Sequence, residues 1–459
     1  MSDKPIPETD AIFARAYANA IKNYFQIDVG EHYCILTSPI TQRGMAAGDL
    51  IYPQMTNYLI YKFADALQFS DNPTYTGGSA GSYIDQLQSY IDWVDTPSSP
   101  SQDVVDRMNK ARDAVTDASV GYQKALKAGQ KQFNEDKDLY PDQTFWQWAA
   151  DNYLPLAAAD ETRNSAQSEL YEAMQLFYGP DAPPWEDTSM ALGLRKVPTP
   201  IRGLVDDEDL IASATKSANG GVKARAPTIT QSTIYVPTYT IESYSSTVQD
   251  WISKSAHNAP RDQVITINVD KGTTTAWSDY GFTHVSGGGD SGFWPFFYAR
   301  VYYDNQWVTR TLETSGRENA VSITLAMIGI QKFDVEAGQW DVANIKALFP
   351  NRQTGAPPDV LGPKYAKVVS VIAGYDVQLR VQFSSEIRDE VHKIYQEVLE
   401  THGSMCIFGF DVGGSDSTTR VDTSFDNVKW DNESGMMSLT PTKGQVYPTI
   451  LAAVAQRFD

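Results

Sequence analysis

The chain has 459 residues, of which 42% are hydrophobic and 20% charged, the balance of a globular protein rather than a disordered one. Its formal net charge of −20 comes from 57 acidic against 37 basic residues, with no run of Lys and Arg to neutralise phosphates, so nucleic acid is excluded as a partner. The same charge opposes adsorption to anionic lipid unless an apolar patch or a cation compensates. Only Cys34 and Cys406 are present, too few for a disulfide framework.

The opening "MSDKPIPETDAIF" has neither a basic n-region nor an apolar h-region, so no secretory signal is predicted. The longest apolar run, "AVSITLAMIGI" (320–330), is about half of the roughly 20 residues a spanning helix needs. These features predict a soluble, cytoplasmic protein, with signal-free export as the alternative.

In chain order, "DAIFARAYANAIKNYF" places Ile12, Ala16, Ala20 and Phe25 near one helical face. After an irregular connector, "PQMTNYLIYKFADALQF" repeats the pattern with Pro53 in its first turn. "SYIDQLQSYIDWV" predicts a third, short helix. "DTPSSPSQ" (95–102) then breaks the chain and offers a capping serine. A long helix follows from about Gln102 to Leu139, its stripe formed by Met108, Ala111, Val115, Ala118, Tyr122, Ala125 and Phe133. Residues 156–178 return as another helix, with Ala159, Ala166, Leu170, Ala173, Met174 and Phe177 on its stripe. Small alanine contacts favour close antiparallel packing, so residues 102–178 predict a long helical hairpin, coiled-coil-like in its spacing.

Proline-rich sequence between 180 and 228 reads as a connector holding one short helix at 206–218. Beyond it β-type residues dominate: segments 232–245, 263–269, 296–303, 306–313, 319–335, 365–383, 405–412, 421–431 and 436–441 predict strands. "YDNQW" (303–307) carries hairpin chemistry between two aromatic strands. One helix interrupts them at 384–403, with Ile387, Val391, Ile394 and Leu399 on one face and Gly403 as its stop. The predicted fold class is α+β: a helical domain over 1–205, a linker at 206–228, and an antiparallel, sandwich-like β-rich domain over 229–459.

The most unusual stretch is "HVSGGGDSGFWPFFYARVYY" (284–303). Gly289-Asp290-Ser291-Gly292 matches the surroundings of the nucleophile in chymotrypsin-like proteases, and "SAHNA" with His257 echoes those of the base. Only 34 residues separate His257 from Ser291, too few for the β-barrel such a triad spans, even with Asp270 or Asp279 as third member. A phosphate cradle fails as well, because no lysine and no helix follow the glycines. No catalytic residue is assigned and no cofactor is expected.

Histidines 32, 257, 284, 392 and 402 are scattered, with none at i, i+4, so no zinc site is predicted. Asp411, Asp416, Asp422 and Asp426 form an oxygen-rich stretch, candidate calcium ligands without EF-hand spacing; the plainer reading is a solvated hairpin loop. The aromatic cluster Phe293, Trp294, Phe296, Phe297 and Tyr298 cannot all face one core if extended, because alternate side chains point to opposite sides. Burial between two layers is the commoner outcome for such rings, and contact with a membrane or partner the other.

A helical hairpin followed by a β-rich domain is similar in outline to several soluble bacterial and fungal toxin-like proteins that insert helices or hairpins into membranes. That resemblance is architectural and assigns no residue a role. The expected function is non-enzymatic: self-assembly into a homo-oligomer, or contact with a membrane or protein partner, through the aromatic segment and the helical hairpin. Two alternatives stand beside it. One is an enzyme with a site between the helical and β halves, the other a carbohydrate- or ligand-binding β-domain using Trp277, Trp294 or Trp307.

Overall fold

Helices form where the 3.6-residue spacing runs longest, and antiparallel strands fill the C-terminal half, giving an α+β protein. The computed structural model describes residues 6–40, 42–48, 51, 53–77, 80–94, 101–136, 139–140, 145–178, 199–202, 233–237, 239–286, 296–303, 306–312, 320–338, 340–341, 345–412, 428–440 and 445–458. The expected linker at 206–228, with its short helix, lies outside them. So do the glycine run, Ser291, Phe293, Trp294, Asp416, Asp422 and Asp426.

Two compact units are present, and they do not follow a linear division at residue 205. One comprises residues 1–89, 195–338 and 357–459, the other 90–194 and 339–356. The first 89 residues, helical by pattern, therefore belong with the strands. The physical reason is visible in α1 (Glu8–Phe25), whose Phe13, Tyr17 and Ile21 are sunk in the core of the β-rich unit.

The smaller unit is built on the predicted hairpin. Helix α4 (Gln102–Asp136) has 35 residues, on the order of 50 Å at 1.5 Å per residue. Helices α5 (Phe145–Asn152) and α6 (Leu154–Tyr178) complete it. Met108, Ala111 and Val115 pack on Ala166, Leu170 and Ala173 in antiparallel sense. Arg107 meets Glu172 at 3.5 Å, and the Arg163 guanidinium lies 4.3 Å from the Tyr122 ring. At the closed end Trp148 is fully buried among Phe133, Phe145 and Tyr153, with ring centres 5.5 to 6.4 Å away. Gly129 is needed there, since a Cβ would stand 2.9 Å from the Tyr153 ring.

In the larger unit the early strands are β1 (Tyr33–Thr37), β2 (Gln68–Phe69), β3 (Thr199–Arg202), β4 (Thr233–Val236), β5 (Tyr239–Thr240) and β6 (Gln263–Asn268). Next come β7 (Phe297–Tyr303), β8 (Gln306–Thr311), β9 (Val321–Met327), β10 (Gly329–Asp334), β11 (Glu336–Ala337) and β12 (Tyr365–Tyr375). The last are β13 (Gln378–Phe383), β14 (Ser404–Ile407), β15 (Phe410–Val412), β16 (Val428–Asp431), β17 (Met436–Leu439) and β18 (Thr449–Arg457). They form three main antiparallel sheets, ordered β1-β18-β12-β10 with β2 beside β12, β16-β17-β13-β9-β6, and β15-β14-β7-β8. The single apolar run 319–335 serves two of them, because the chain changes sheet at Ile328 between β9 and β10.

Several elements depart from the sequence expectations. Residues 244–245 begin a helix (Tyr244–Ala256) rather than ending a strand, and its buried Tyr244, Val248 and Trp251 have helical i, i+4, i+7 spacing. The apolar runs at β1 and β18 are strands buried on both faces, which erases the alternation that marks a half-exposed strand. In the helix Arg388–Thr401, Val398 is the buried residue and Leu399 is 37% exposed. That helix ends on His402 in the left-handed region, while Gly403 serves close packing, its missing Cβ leaving room for the Arg300 carbonyl.

Asp65 ties the loop after helix α2 (Pro53–Ala64) to helix α3 (Tyr83–Asp92). It accepts hydrogen bonds from Ser82 Oγ (2.5 Å), Ile84 N (2.9 Å) and Tyr239 OH (3.4 Å). Burial pushes its carboxyl up to about 6, only partly offset by those donors. A folded-state value above the unfolded one means stability fully present below about pH 4 and lost as pH rises through 6. We expect the wild type to lose up to about 3 kcal/mol more than Asp65→Asn between pH 4 and pH 7. Urea titrations of both proteins check this, and equal losses would clear Asp65 of the effect.

Candidate functional site

The aromatic segment divides where the structure takes it up. Phe296 is fully buried and Phe297 is 5% exposed, whereas Tyr298 is half-buried. Phe296 stacks on Phe13 at 5.8 Å and meets the edge of Phe408 at 4.9 Å. Its amide donates to Asp10 Oδ1 (3.1 Å) and its carbonyl accepts from Phe408 N (2.7 Å). Burial raises the Asp10 carboxyl above its ordinary range, and the Phe296 N–H partly offsets this. Enclosed in this way, Phe296 and Phe297 offer no surface to a membrane or partner in the folded unit. This corrects their place in the candidate contact set.

Phe408 itself sits at φ 51°, followed by Gly409 at φ 85°, in the two-residue turn between β14 and β15. Left-handed backbone is costly for a bulky residue. Here the ring is held by Phe13, Tyr17 and Phe296, so core packing stabilises the conformation.

The surface aromatics lie further along the same hairpin. β7 and β8 pair with Tyr302 opposite Trp307, Val301 opposite Val308 and Arg300 opposite Thr309. Opposed residues share a face, so Tyr302, Trp307, Arg300 and Thr309 line one side and Tyr303, Val308 and Arg310 the other. Val301, Ala299 and Phe297 seal the second side onto the core. On that side Tyr303 and Val308 are 56% and 42% exposed, and on the other side Trp307 is 54% exposed. Trp307 contacts Tyr302 edge-on at 5.4 Å. β8 is the terminal strand of its sheet, and Arg310 is held by Glu397 at 3.0 Å. Sequence reasoning placed Trp307 only as a sugar platform and missed Tyr303 and Val308. Alternation alone could not show where the core beneath β7 stops.

Of the serine-protease echo, Ser291 lies outside the described residues, and the other members have local roles. His257 caps the helix Tyr244–Ala256, with Nδ1–H donating to the Ser253 carbonyl at 2.8 Å. Asp279 accepts from Ala276 N at 2.9 Å, and the Asp270 amide is capped by Asn268 Oδ1 at 3.0 Å. A different grouping does form: Ser286 Oγ donates to Asp71 Oδ2 at 2.5 Å, with His284 Nε2 3.8 Å from the same oxygen. The carboxylate stands between serine and histidine, so the imidazole has no path to the serine proton as triad chemistry requires. Asp71 is 215 residues from Ser286, a pairing no local pattern could signal.

Asp411 lies on β15, and no group of three His, Cys, Asp or Glu suited to a metal ion occurs among the described residues. Trp277 is partly buried against the core with Arg15 5.7 Å from its ring, which removes it as a stacking platform. His392 lies flat on Trp430, 4.9 Å between centres. A groove of about 600 Å³ runs along the helical hairpin, lined by Ala114, Asp117, Ala118, Gly121, Ala159, Thr162, Ser165, Ala166 and Glu169; neither His257 nor His284 borders it. No helix among the described residues is long and apolar enough to cross a membrane. No protein-family model, no curated protein and no solved structure matches the chain.

Proposed function

We propose that the chain is a non-enzymatic interaction protein, assembling with itself or contacting a membrane or partner through the end of the β7–β8 hairpin. The supporting observation is the joint exposure of Tyr303, Trp307 and Val308 at the end of a hairpin in which only the inward β7 positions Phe297, Ala299 and Val301 are buried. Exposed large apolar groups gathered at one place mark interaction sites more often than single ones do. The terminal position of β8 adds a strand edge to the same surface.

Mass photometry over a concentration series, with vesicle co-sedimentation alongside, tests this reading. The wild type is expected to form oligomers or to sediment with vesicles, and Tyr303→Ser combined with Trp307→Ser to lose that behaviour while keeping its thermal melting point. A wild type monomeric at every concentration and inert to every surface would overturn it.

A second reading has one observation in its favour. Trp307 shares a face with Arg300 and Thr309, so an exposed ring stands beside hydrogen-bonding groups, as sugar recognition needs. A glycan array with a Trp307→Ala control separates the two.

A further inference from the structure

We infer that β8 is an unfilled sheet edge that pairs antiparallel with the β8 of a second copy, joining two sheets across a two-fold axis. The inference rests on the contact reading above and names its partner.

At the ends of the three main sheets, β1, β6, β10 and β16 each bury at least one side chain, whereas β8 buries none of its six. It is open on both faces and along its outer side, and its ladder to β7 holds it in place. Natural edges are blunted by proline, lysine, bulges or short length. β8 reads QWVTRT, and its six pairs with β7 run without a bulge. Its single charge, Arg310, is already engaged by Glu397 at 3.0 Å.

Backbone direction decides what fits such an edge. Tyr303 and Gln306 face each other with two residues between them, a spacing that only a hydrogen-bonded pair allows. Such pairs alternate along an antiparallel ladder, so Val308 and Arg310 also spend their backbone groups on β7. Those of Trp307, Thr309 and Thr311 turn outward. A partner that takes the strand out of water must satisfy this row, and an extended backbone does so.

A second copy supplies a matching one. With Val308 on the two-fold axis, it lies opposite the partner's Val308, Trp307 opposite the partner's Thr309, and Gln306 opposite the partner's Arg310. Apolar and β-branched side chains then meet across the new ladder, and no like charges are opposed. Two strands of this length bury less than the roughly 1,200 Å² of a standard interface, so the dimer is weak and reversible. The net charge of −20 opposes it further at low salt.

Sedimentation equilibrium of the full chain over a concentration series tests this, with hydrogen exchange on the same samples. A monomer–dimer equilibrium that tightens with salt is expected, with exchange of the 306–311 amides slowing as concentration rises. Thr309→Pro removes an outward N–H and spares the β7 ladder, so it should abolish dimerisation with little change in melting point. Val308→Lys and Val308→Glu should each weaken the dimer about tenfold by placing like charges on the axis, and mixing the two should restore it. A wild type monomeric at every concentration, a dimer indifferent to these variants, or slow exchange of those amides in the monomer overturns the inference. If these fail but an oligomer, vesicle or glycan signal is lost in Tyr303→Ser combined with Trp307→Ser, the contact reading stands without the strand pairing. Failure of every one of those signals removes both.

Discussion

Phe296→Ala is expected to destabilise the β-rich unit by about 3–5 kcal/mol, the usual cost of deleting a fully enclosed phenylalanine. The ring contacts Phe13 and Phe408 at 5.8 and 4.9 Å, so its loss leaves a cavity between α1 and the β14–β15 turn. That turn holds Phe408 in left-handed backbone by the same packing, so the effect should reach beyond the deleted atoms. A double variant with Phe408→Ala should lose less than the sum of the two singles, because each removes part of the other's environment. Urea denaturation followed by near-UV circular dichroism measures both, with the helical hairpin's transition separated from that of this unit. A loss below about 1 kcal/mol for Phe296→Ala would show that the site collapses freely and that the cluster is not the anchor described.

Gly272→Ala should be at least as damaging, although it adds a single carbon. The short helix Val269–Thr274 crosses α1 so closely that a Cβ on Gly272 would stand 1.9 Å from the Ile12 carbonyl oxygen and 3.1 Å from the Ala16 amide. Both obstacles are backbone, which cannot swing aside as a side chain can. Relief requires α1 to move off its seat on β6 and β1, pulling Phe13, Tyr17 and Ile21 with it. Overpacking costs about 1–3 kcal/mol where side chains adjust, and more is expected here. Thermal melting checks this beside Gly121→Ala, a helical glycine with open space around its Cβ position, which should be neutral or slightly stabilising. Equal melting points for the two variants would contradict the close approach.

Much of the architecture was legible before the structure. The hairpin helices, the β-rich second half, the β7–β8 hairpin and the late helix all carry local periodicity, because each exposes one face and buries the other. What escaped has a common cause. β1 and β18 are covered on both sides, so no alternation remains, and the alanines of "TILAAVAQR" favour helix until the sheet takes them. The division into units escaped because it depends on which surface α1 docks against, and an amphipathic helix does not state its partner. Nor could sequence distance foretell the Asp10–Phe296 or Asp71–Ser286 bonds, which join residues more than 200 positions apart.

The aromatic stretch shows the same boundary at the scale of single residues. By itself the amino-acid sequence determined that "FFYARVYY" is extended, that its side chains alternate, and that they are too many and too large for one layer. It also determined the net charge of −20. Only the tertiary structure decided which rings are enclosed. Phe296 and Phe297 are buried in the core cluster that includes Phe13 of α1, while Tyr303 and Trp307, on opposite faces of the hairpin, are left exposed. Alternation sets which way a side chain points, but exposure depends on whether another part of the chain arrives to cover it, and that is settled by contacts between residues remote in sequence.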